Sequence, residues 1–251
     1  MLRLKFFLHF FFLVIILFTS CSDDTKNDIV PEDSLELLAT HNISVLEPSG
    51  LAIDKTGTVL YSVSDNTGNI YKLSTEGVLL KTYHYGGDDL EGVTNFTGSK
   101  LLLAEERTRQ IVEYDISTGN ISRHYINYEN NSANSGIEGV AYKENDGSTF
   151  ILNEKDPGKL IRLRADFSII AEYELNFASD YSGIFYDIST NNLWILSDQN
   201  KTLNRCTLMG VLIEKHTVNV TQAEGIAITN DKIFIVSDAE SKLYVYKKPQ
   251  Y

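Results

Sequence analysis

The residues Pro48-Ser49-Gly50-Leu51-Ala52-Ile53-Asp54-Lys55-Thr56-Gly57-Thr58-Val59-Leu60-Tyr61-Ser62-Val63-Ser64-Asp65 decide the fold. A glycine opens a short apolar strand, and a second apolar strand ends on a carboxylate. The phrase returns four more times. Its opening glycines are Gly50, Gly92, Gly139, Gly183 and Gly225, spaced by 42, 47, 44 and 42 residues. The second strands end at Asp65, Glu105, Glu154, Asp198 and Asp238, each 13 or 15 residues past its glycine. Third strands follow at Ile70–Leu73, Ile111–Tyr114, Leu160–Leu163, Leu203–Leu208 and Leu243–Tyr246, with fourth strands starting near Gly77, Gly119, Phe167 and Gly210.

A period of this length is one four-stranded blade, so residues 35–251 are expected to form an all-β, five-bladed β-propeller. An open sandwich would also give short strands, but it predicts no such period. The fifth repeat stops after its third strand near Tyr246, while Leu35–Ala39 stands spare before the first. That segment is expected to complete the last blade, closing the ring and removing an open edge. Strands such as Val59–Val63 and Leu193–Leu196 are apolar on both faces, as sheets packed between two neighbours require. Trp194 therefore reads as core.

Upstream, Arg3 and Lys5 precede an apolar run from Phe6 to Phe18, followed by Thr19, Ser20 and Cys21. This is the layout of a signal peptide over residues 1–20, too short in its apolar part for a bilayer span of roughly 20 residues. Phe18-Thr19-Ser20-Cys21 resembles a bacterial lipobox, although Phe18 stands in place of the usual leucine. Lipidation of Cys21 would hold the protein on a membrane, with residues 21–34 as a polar tether. Ser22-Asp23-Asp24 resembles the acidic signal that sends lipoproteins of Bacteroidetes-type bacteria to the outer face of the outer membrane. The expected location is the bacterial cell envelope, and the expected state is a monomer.

Loss of residues 1–20 leaves 20 basic and 34 acidic side chains, a net charge of −14 that makes nucleic acid an unsuitable partner. Cys206 would be the sole cysteine besides the lipidated one, so no internal disulfide is available.

In a blade, the start of the first strand and the end of the second meet at one rim. The residues before the glycines are Ser49, Glu91, Glu138, Ser182 and Glu224, and where serine stands an acid lies two residues earlier, at Glu47 and Asp180. Together with the five second-strand acids they crowd negative charge onto one mouth. Aspartates at strand ends often cap the next turn, which would account for Asp65, Asp198 and Asp238 without a ligand. Glutamates make that bond poorly, so Glu105 and Glu154 point to a need for charge. Two carboxylates about 6 Å apart repel by roughly 3 kcal/mol at an effective dielectric near 20. Raised pKa values, inward bases or a bound cation must offset this. Arg107, Arg109, Lys155, Lys201 and Lys242 follow the second strands and are the candidate internal counter-charges. A cation held by oxygen alone would be Ca²⁺ rather than zinc. His84, His124 and His216 fall on outer strands and His41 in the link before the first blade, away from such a site. No nucleophile elbow, H-E-x-x-H, C-x-x-C or P-loop is present.

Residues 47–77 and 88–115, with Glu47–Leu51, Val63-Ser64-Asp65, Asp89-Leu90-Glu91-Gly92 and Ala104-Glu105 in order, resemble the SdiA-regulated (YjiK-type) propeller family. The resemblance implies an envelope-associated propeller, related in pattern to esterase-like phytase propellers, with calcium linked to some members. It carries over no catalytic set. Three functions stay open: an envelope lipoprotein binding calcium and a small-molecule or protein ligand at its acidic rim, with Glu47, Asp89, Asp180, Arg107 and Lys155 as ligand contacts; a metal-dependent hydrolase of phosphoesters or lactones; or an interaction scaffold indifferent to calcium.

Overall fold

The computed structural model describes residues 32–129 and 136–250. Cys21, the signal segment and most of the tether lie outside them. Five four-stranded units form a closed ring. Blade 1 is β3 (Pro48–Ile53), β4 (Val59–Ser64), β5 (Ile70–Ser74) and β6 (Leu79–Tyr83). Blade 2 is β7 (Leu90–Asn95), β8 (Lys100–Glu105), β9 (Gln110–Asp115) and β10 (Ile121–Tyr125). Blade 3 is β11 (Ile137–Lys143), β12 (Ser148–Asn153), β13 (Lys159–Leu163) and β14 (Ile169–Glu174). Blade 4 is β15 (Gly183–Asp187), β16 (Asn192–Ser197), β17 (Thr202–Cys206) and β18 (Leu212–Thr217). Blade 5 is β19 (Ala223–Ile228), β20 (Lys232–Ser237) and β21 (Lys242–Lys247), completed by β2 (Leu37–Asn42).

Ring closure follows the sequence reading, with Leu37 facing Tyr246 and Asn42 facing Lys242. His41 belongs to this closing strand rather than to a link. The tether also contributes structure: β1 (Glu32–Ser34) adds a parallel fifth strand to blade 4 alongside Lys215–Thr217. Three polar residues carry no strand signal, so only the exposed edge of β18 makes them a strand.

The blades pack through apolar faces, and Trp194, Phe150 and Phe234 are fully enclosed. Each interface draws side chains from two neighbouring blades, as where Leu60 and Leu73 of blade 1 meet Phe234 and Val236 of blade 5. The opening glycines are required by the spacing at the axis. A Cβ on Gly225 would stand 2.6 Å from the backbone of Gly50 and Leu51, and one on Gly183 2.4 Å from the carbonyl of Glu224. Neither space admits a methyl group, so the inner strands approach this closely only as glycine.

Candidate cation site at the acidic mouth

Four of the inner strands carry a bulge immediately before the glycine, between Pro48 and Gly50, Leu90 and Gly92, Ile137 and Gly139, and Ala223 and Gly225. A bulge sets two residues against one and re-aims the extra side chain. The extra residues are Ser49, Glu91, Glu138 and Glu224. Three residues before the glycine, Glu47, Asp89 and Gln222 hold left-handed φ values of 47°, 58° and 42°, a costly conformation for residues with a side chain. The kink and the bulge together point the glutamates at the axis, where with the glycines they line a channel of about 10 Å³. That volume holds one water at most.

The two serines that precede an opening glycine satisfy themselves on the next blade, Ser49 Oγ donating to Leu90 O and Ser182 Oγ to Ala223 O at 2.6 Å. A carboxylate cannot donate. Burial, then the charges of Glu224 and Asp65, push Glu91 well above the usual carboxylate range. Burial and then Glu91 and Glu106 do the same to Glu138, and burial with Asp198 and Asp238 to Glu224.

Pairing across the blades corrects the sequence register in blade 2. Gly92 faces Ala104 as Gly50 faces Val63, Gly139 faces Leu152 and Gly225 faces Val236. The residue two past each partner is Asp65, Glu154 or Asp238, and in blade 2 it is Glu106. Hairpin lengths vary between blades, so counting from the glycine could not separate two adjacent glutamates. The signal was present in Val63-Ser64-Asp65 and Leu152-Asn153-Glu154: one residue intervenes before the acid, which aligns Ala104-Glu105-Glu106 with its last member at the rim.

Glu105 therefore turns the other way, 1 % exposed. It accepts hydrogen bonds from Tyr85 Oη at 2.8 Å and Thr108 Oγ1 at 3.1 Å, and pairs with Arg123 Nη1 at 2.5 Å. Its task is to hold the loop of Tyr85 and Asp88 that delivers Asp89. Asp180 is likewise consumed, buried and accepting from Ser197 Oγ and the N–H groups of Asp198 and Gln199. It caps a turn and does not face the mouth as a free ligand.

The counter-charges are unevenly spread. Lys155 pairs with Glu154 at 2.5 Å and Lys201 with Asp198 at 2.6 Å, whereas Lys242 turns to Glu240. Arg107 reaches Asp88 at 2.6 Å and Asp89 at 3.2 Å from a largely exposed position, and Arg109 lies over the Tyr128 ring. The second-strand acids of blades 3 and 4 are thus paired with lysine. Across blades 5, 1 and 2, Asp238, Glu47, Asp65, Glu91 and Glu106 have no such partner among the described ion pairs. Burial, with the charges of Glu47 and Asp89, raises Asp65. Burial, then Asp65 and Glu47, raises Asp238.

One oxygen in this sector is orphaned. Asp198 Oδ1 accepts the N–H of Ala223, two residues before the glycine of the next blade, at 3.0 Å. The equivalent donor for Asp238 would be residue 48, a proline with no N–H. Asp238 Oδ1 is accordingly buried without a hydrogen-bond partner.

Nearby, the N–H of Glu106 donates to Asp89 O at 2.9 Å, clipping the two backbones together. Carboxylate oxygens of Asp89, Glu91 and Glu106 all lie within 4.8 Å of one another. Oxygens on opposite sides of one calcium are about 5 Å apart, twice a 2.3–2.6 Å bond, so the cluster fits a single hard cation. Burial raises the Glu106 carboxyl, opposed by the N–H of Gly136 at 2.7 Å and reinforced by Asp89. Neither histidine nor thiolate takes part. His124 and His216 bond Glu113 and Glu214 on outer strands, and Cys206 is buried with its thiol pushed up by desolvation.

Solved structures resemble this chain in fold. The glutaminyl cyclase of Myxococcus xanthus superposes with a TM-score of 0.67 at 12% identity, covering 87% of this chain and 99% of that one. A nidogen/laminin complex chain gives 0.56 at 13% identity over 76% and 72%, and virginiamycin B lyase from Staphylococcus aureus 0.51 at 17% over 80% and 66%. At these identities the likeness is one of fold. The family model described as SdiA-regulated matches residues 35–247, from the segment that leads into the closing strand to the last residue of β21, and the chain belongs to that family.

Proposed function

We propose that this protein is an envelope lipoprotein, anchored through Cys21, that binds calcium at the acidic mouth and presents the ion to a small-molecule or protein ligand. The observation that carries the reading is the convergence of Asp89, Glu91 and Glu106 within 4.8 Å, in a sector where the largely exposed Arg107 on Asp89 is the one cationic partner among the described ion pairs. The buried orphan oxygen of Asp238 supports it. Burial and neighbouring carboxylates raise Glu91 and Glu106 above their ordinary values, so an ion bound beside them would compete with protons.

A hydrolase built on the same ion would need basic side chains turned inward to a phosphate. Lys155 is engaged by Glu154 and Arg107 by Asp88 and Asp89, so no observation favours that chemistry.

The test is the melting temperature of the soluble domain after chelation, then with calcium or magnesium at millimolar concentration. A ligand bound only by the folded state raises it, by about 2.7 kcal/mol of stability at a hundred times Kd. A calcium-selective rise that Glu91→Gln with Glu106→Gln abolishes is the expected result; no shift with either ion would leave a scaffold. Anchoring is checked separately by labelling cells with a radioactive fatty acid, which Cys21→Ser should eliminate.

A further inference from the structure

Tyr186, Leu193, Cys206 and Leu212 lie in one row across the four strands of blade 4. Two turns project beyond that row at the mouth opposite the acids, residues 188–191 between β15 and β16 and residues 207–211 between β17 and β18. Both carry large apolar side chains in water. Ile188 is 62% exposed, Met209 and Val211 are each 57% exposed, and Ile213 follows on the outer strand. The second turn is closed by its own backbone, the N–H of Thr207 donating to Val211 O at 2.9 Å and that of Gly210 to Thr207 O at 3.0 Å.

Charge is absent from this tip. Residues 188–197 and 206–213 contain no Asp, Glu, Lys, Arg or His. The charges that bound them are matched inside the fold, Asp187 with Lys248 at 2.7 Å, both side chains 5% exposed, and Arg205 with Glu214 at 2.7 Å. Moving such a tip out of water leaves no free charge to desolvate. Blade 1 also exposes Val78, Leu79 and Leu80 on its outer hairpin, but the exposed Glu76 and Lys81 flank them.

Blade 4 is also the blade that receives the tether. β1 runs parallel to β18 with Glu32 beside Lys215, so both strands begin at the end that bears the tip. Lys215 is four residues past Val211, roughly 13 Å along the strand. Glu32 is eleven residues past Cys21, a reach of at most about 40 Å.

We propose that this tip of blade 4 inserts into the bilayer to which Cys21 is anchored, with Met209 and Val211 deepest and Ile188 and Ile213 beside them; the inference rests on the reading of Cys21 as the lipidated residue. In a chain of net charge −12 the contact is apolar rather than an attraction to anionic lipid. The acidic mouth, at the other end of the same blades, then faces away from the membrane.

The test uses residues 21–251 coupled through the Cys21 thiol to phosphatidylcholine vesicles carrying a maleimide lipid, Cys206 being buried. Coupling supplies the anchor chemically, so the fatty-acid labelling in cells judges the anchor and the vesicles judge the tip. A tryptophan is introduced as Met209→Trp or, for the control at the acidic mouth, as Leu46→Trp, both at exposed positions, and its quenching by phosphatidylcholine brominated on the acyl chains is read above the constant signal of the enclosed Trp194. Expected is a loss of about half of the added emission in Met209→Trp and none in Leu46→Trp. Adding Val211→Asp to Met209→Trp should remove most of that quenching, and the milder Val211→Ser part of it. Equal quenching at both positions, or quenching indifferent to both changes at Val211, overturns the proposal. Absence of quenching in Met209→Trp overturns it too, and leaves the tip to a protein partner.

Discussion

At one mouth, Asp54 and Asp187 are buried enough for desolvation to resist their ionisation, yet hydrogen bonds from Thr56, Val59 and Thr58 in one case, and Lys248 and Ser189 in the other, hold both carboxyls below their ordinary values. At the opposite mouth, Glu91, Glu138 and Glu224 meet burial and more carboxylates, and all three are driven up. The chain uses acids at both ends of four of its five inner hairpins, the Asn95–Lys100 turn of blade 2 being the exception. What differs is who donates. A turn offers its own N–H groups to an aspartate, whereas a bulge aims a glutamate at an axis where the nearest donors are already committed. Charge at the first mouth stabilises the fold, and charge at the axis of the second works against it.

The largest effect should come from breaking the donor side. Lys248→Ala strands Asp187 in a buried site and is expected to cost about 3–5 kcal/mol in urea unfolding, whereas the double change to Lys248→Met and Asp187→Leu should recover much of it. If the single and double variants melt alike, the pair has no structural role. Next comes the axis. Gly225→Ala forces a Cβ against backbone and should cost about 1–3 kcal/mol without altering either mouth's charge.

Smaller, and opposite in sign, is removal of charge from the acidic mouth. With no cation present, Glu91→Gln or Glu138→Gln should raise the melting temperature at neutral pH by a few degrees, and a fall would contradict the picture of an unpaired axis. The pH dependence separates the mouths. Folded values above the ordinary 4.5 mean that the glutamates' contribution to stability is fully present below pH 4.5 and is lost as pH rises through their folded values. For Asp54 and Asp187 the folded values lie below 3.8, so their contribution is present above pH 3.8 and lost as pH falls through them. Across pH 3 to 8 the melting curve of Glu91→Gln should show a shallower neutral-side decline than the parent, with Glu138 and Glu224 supplying what remains, and an unchanged acid side. Asp54→Asn should have the smallest effect, a loss at neutral pH that disappears in acid.

Much of this was legible in the sequence because repetition reports geometry. Five glycines at one period located the axis, and the spare strand before Gly50 located the closure. The acids at Glu91, Glu138 and Glu224 followed from their place before those glycines. Glu105 was misread for Glu106 because alternation, not distance from a landmark, decides which of two neighbours faces the rim. Asp180 reads as a rim ligand from sequence because nothing in Asp180-Tyr181-Ser182 announces that Ser197 and two backbone N–H groups consume it. The orphan oxygen of Asp238 depends on a proline about 190 residues away in the chain, a relation that only ring closure creates.

That closure also sets a timetable. Because Leu37 pairs with Tyr246, the first and last strands of the ring are joined across more than two hundred residues, and a growing chain cannot shut it. Until residue 247 is available, β21 has no outer neighbour and β2 is an isolated strand. Bringing such distant ends together costs chain entropy that only the finished ring repays, so assembly should be slow and should follow synthesis. Loss of β21 alone would then behave as a failure to assemble, with four blades built and the ring left open.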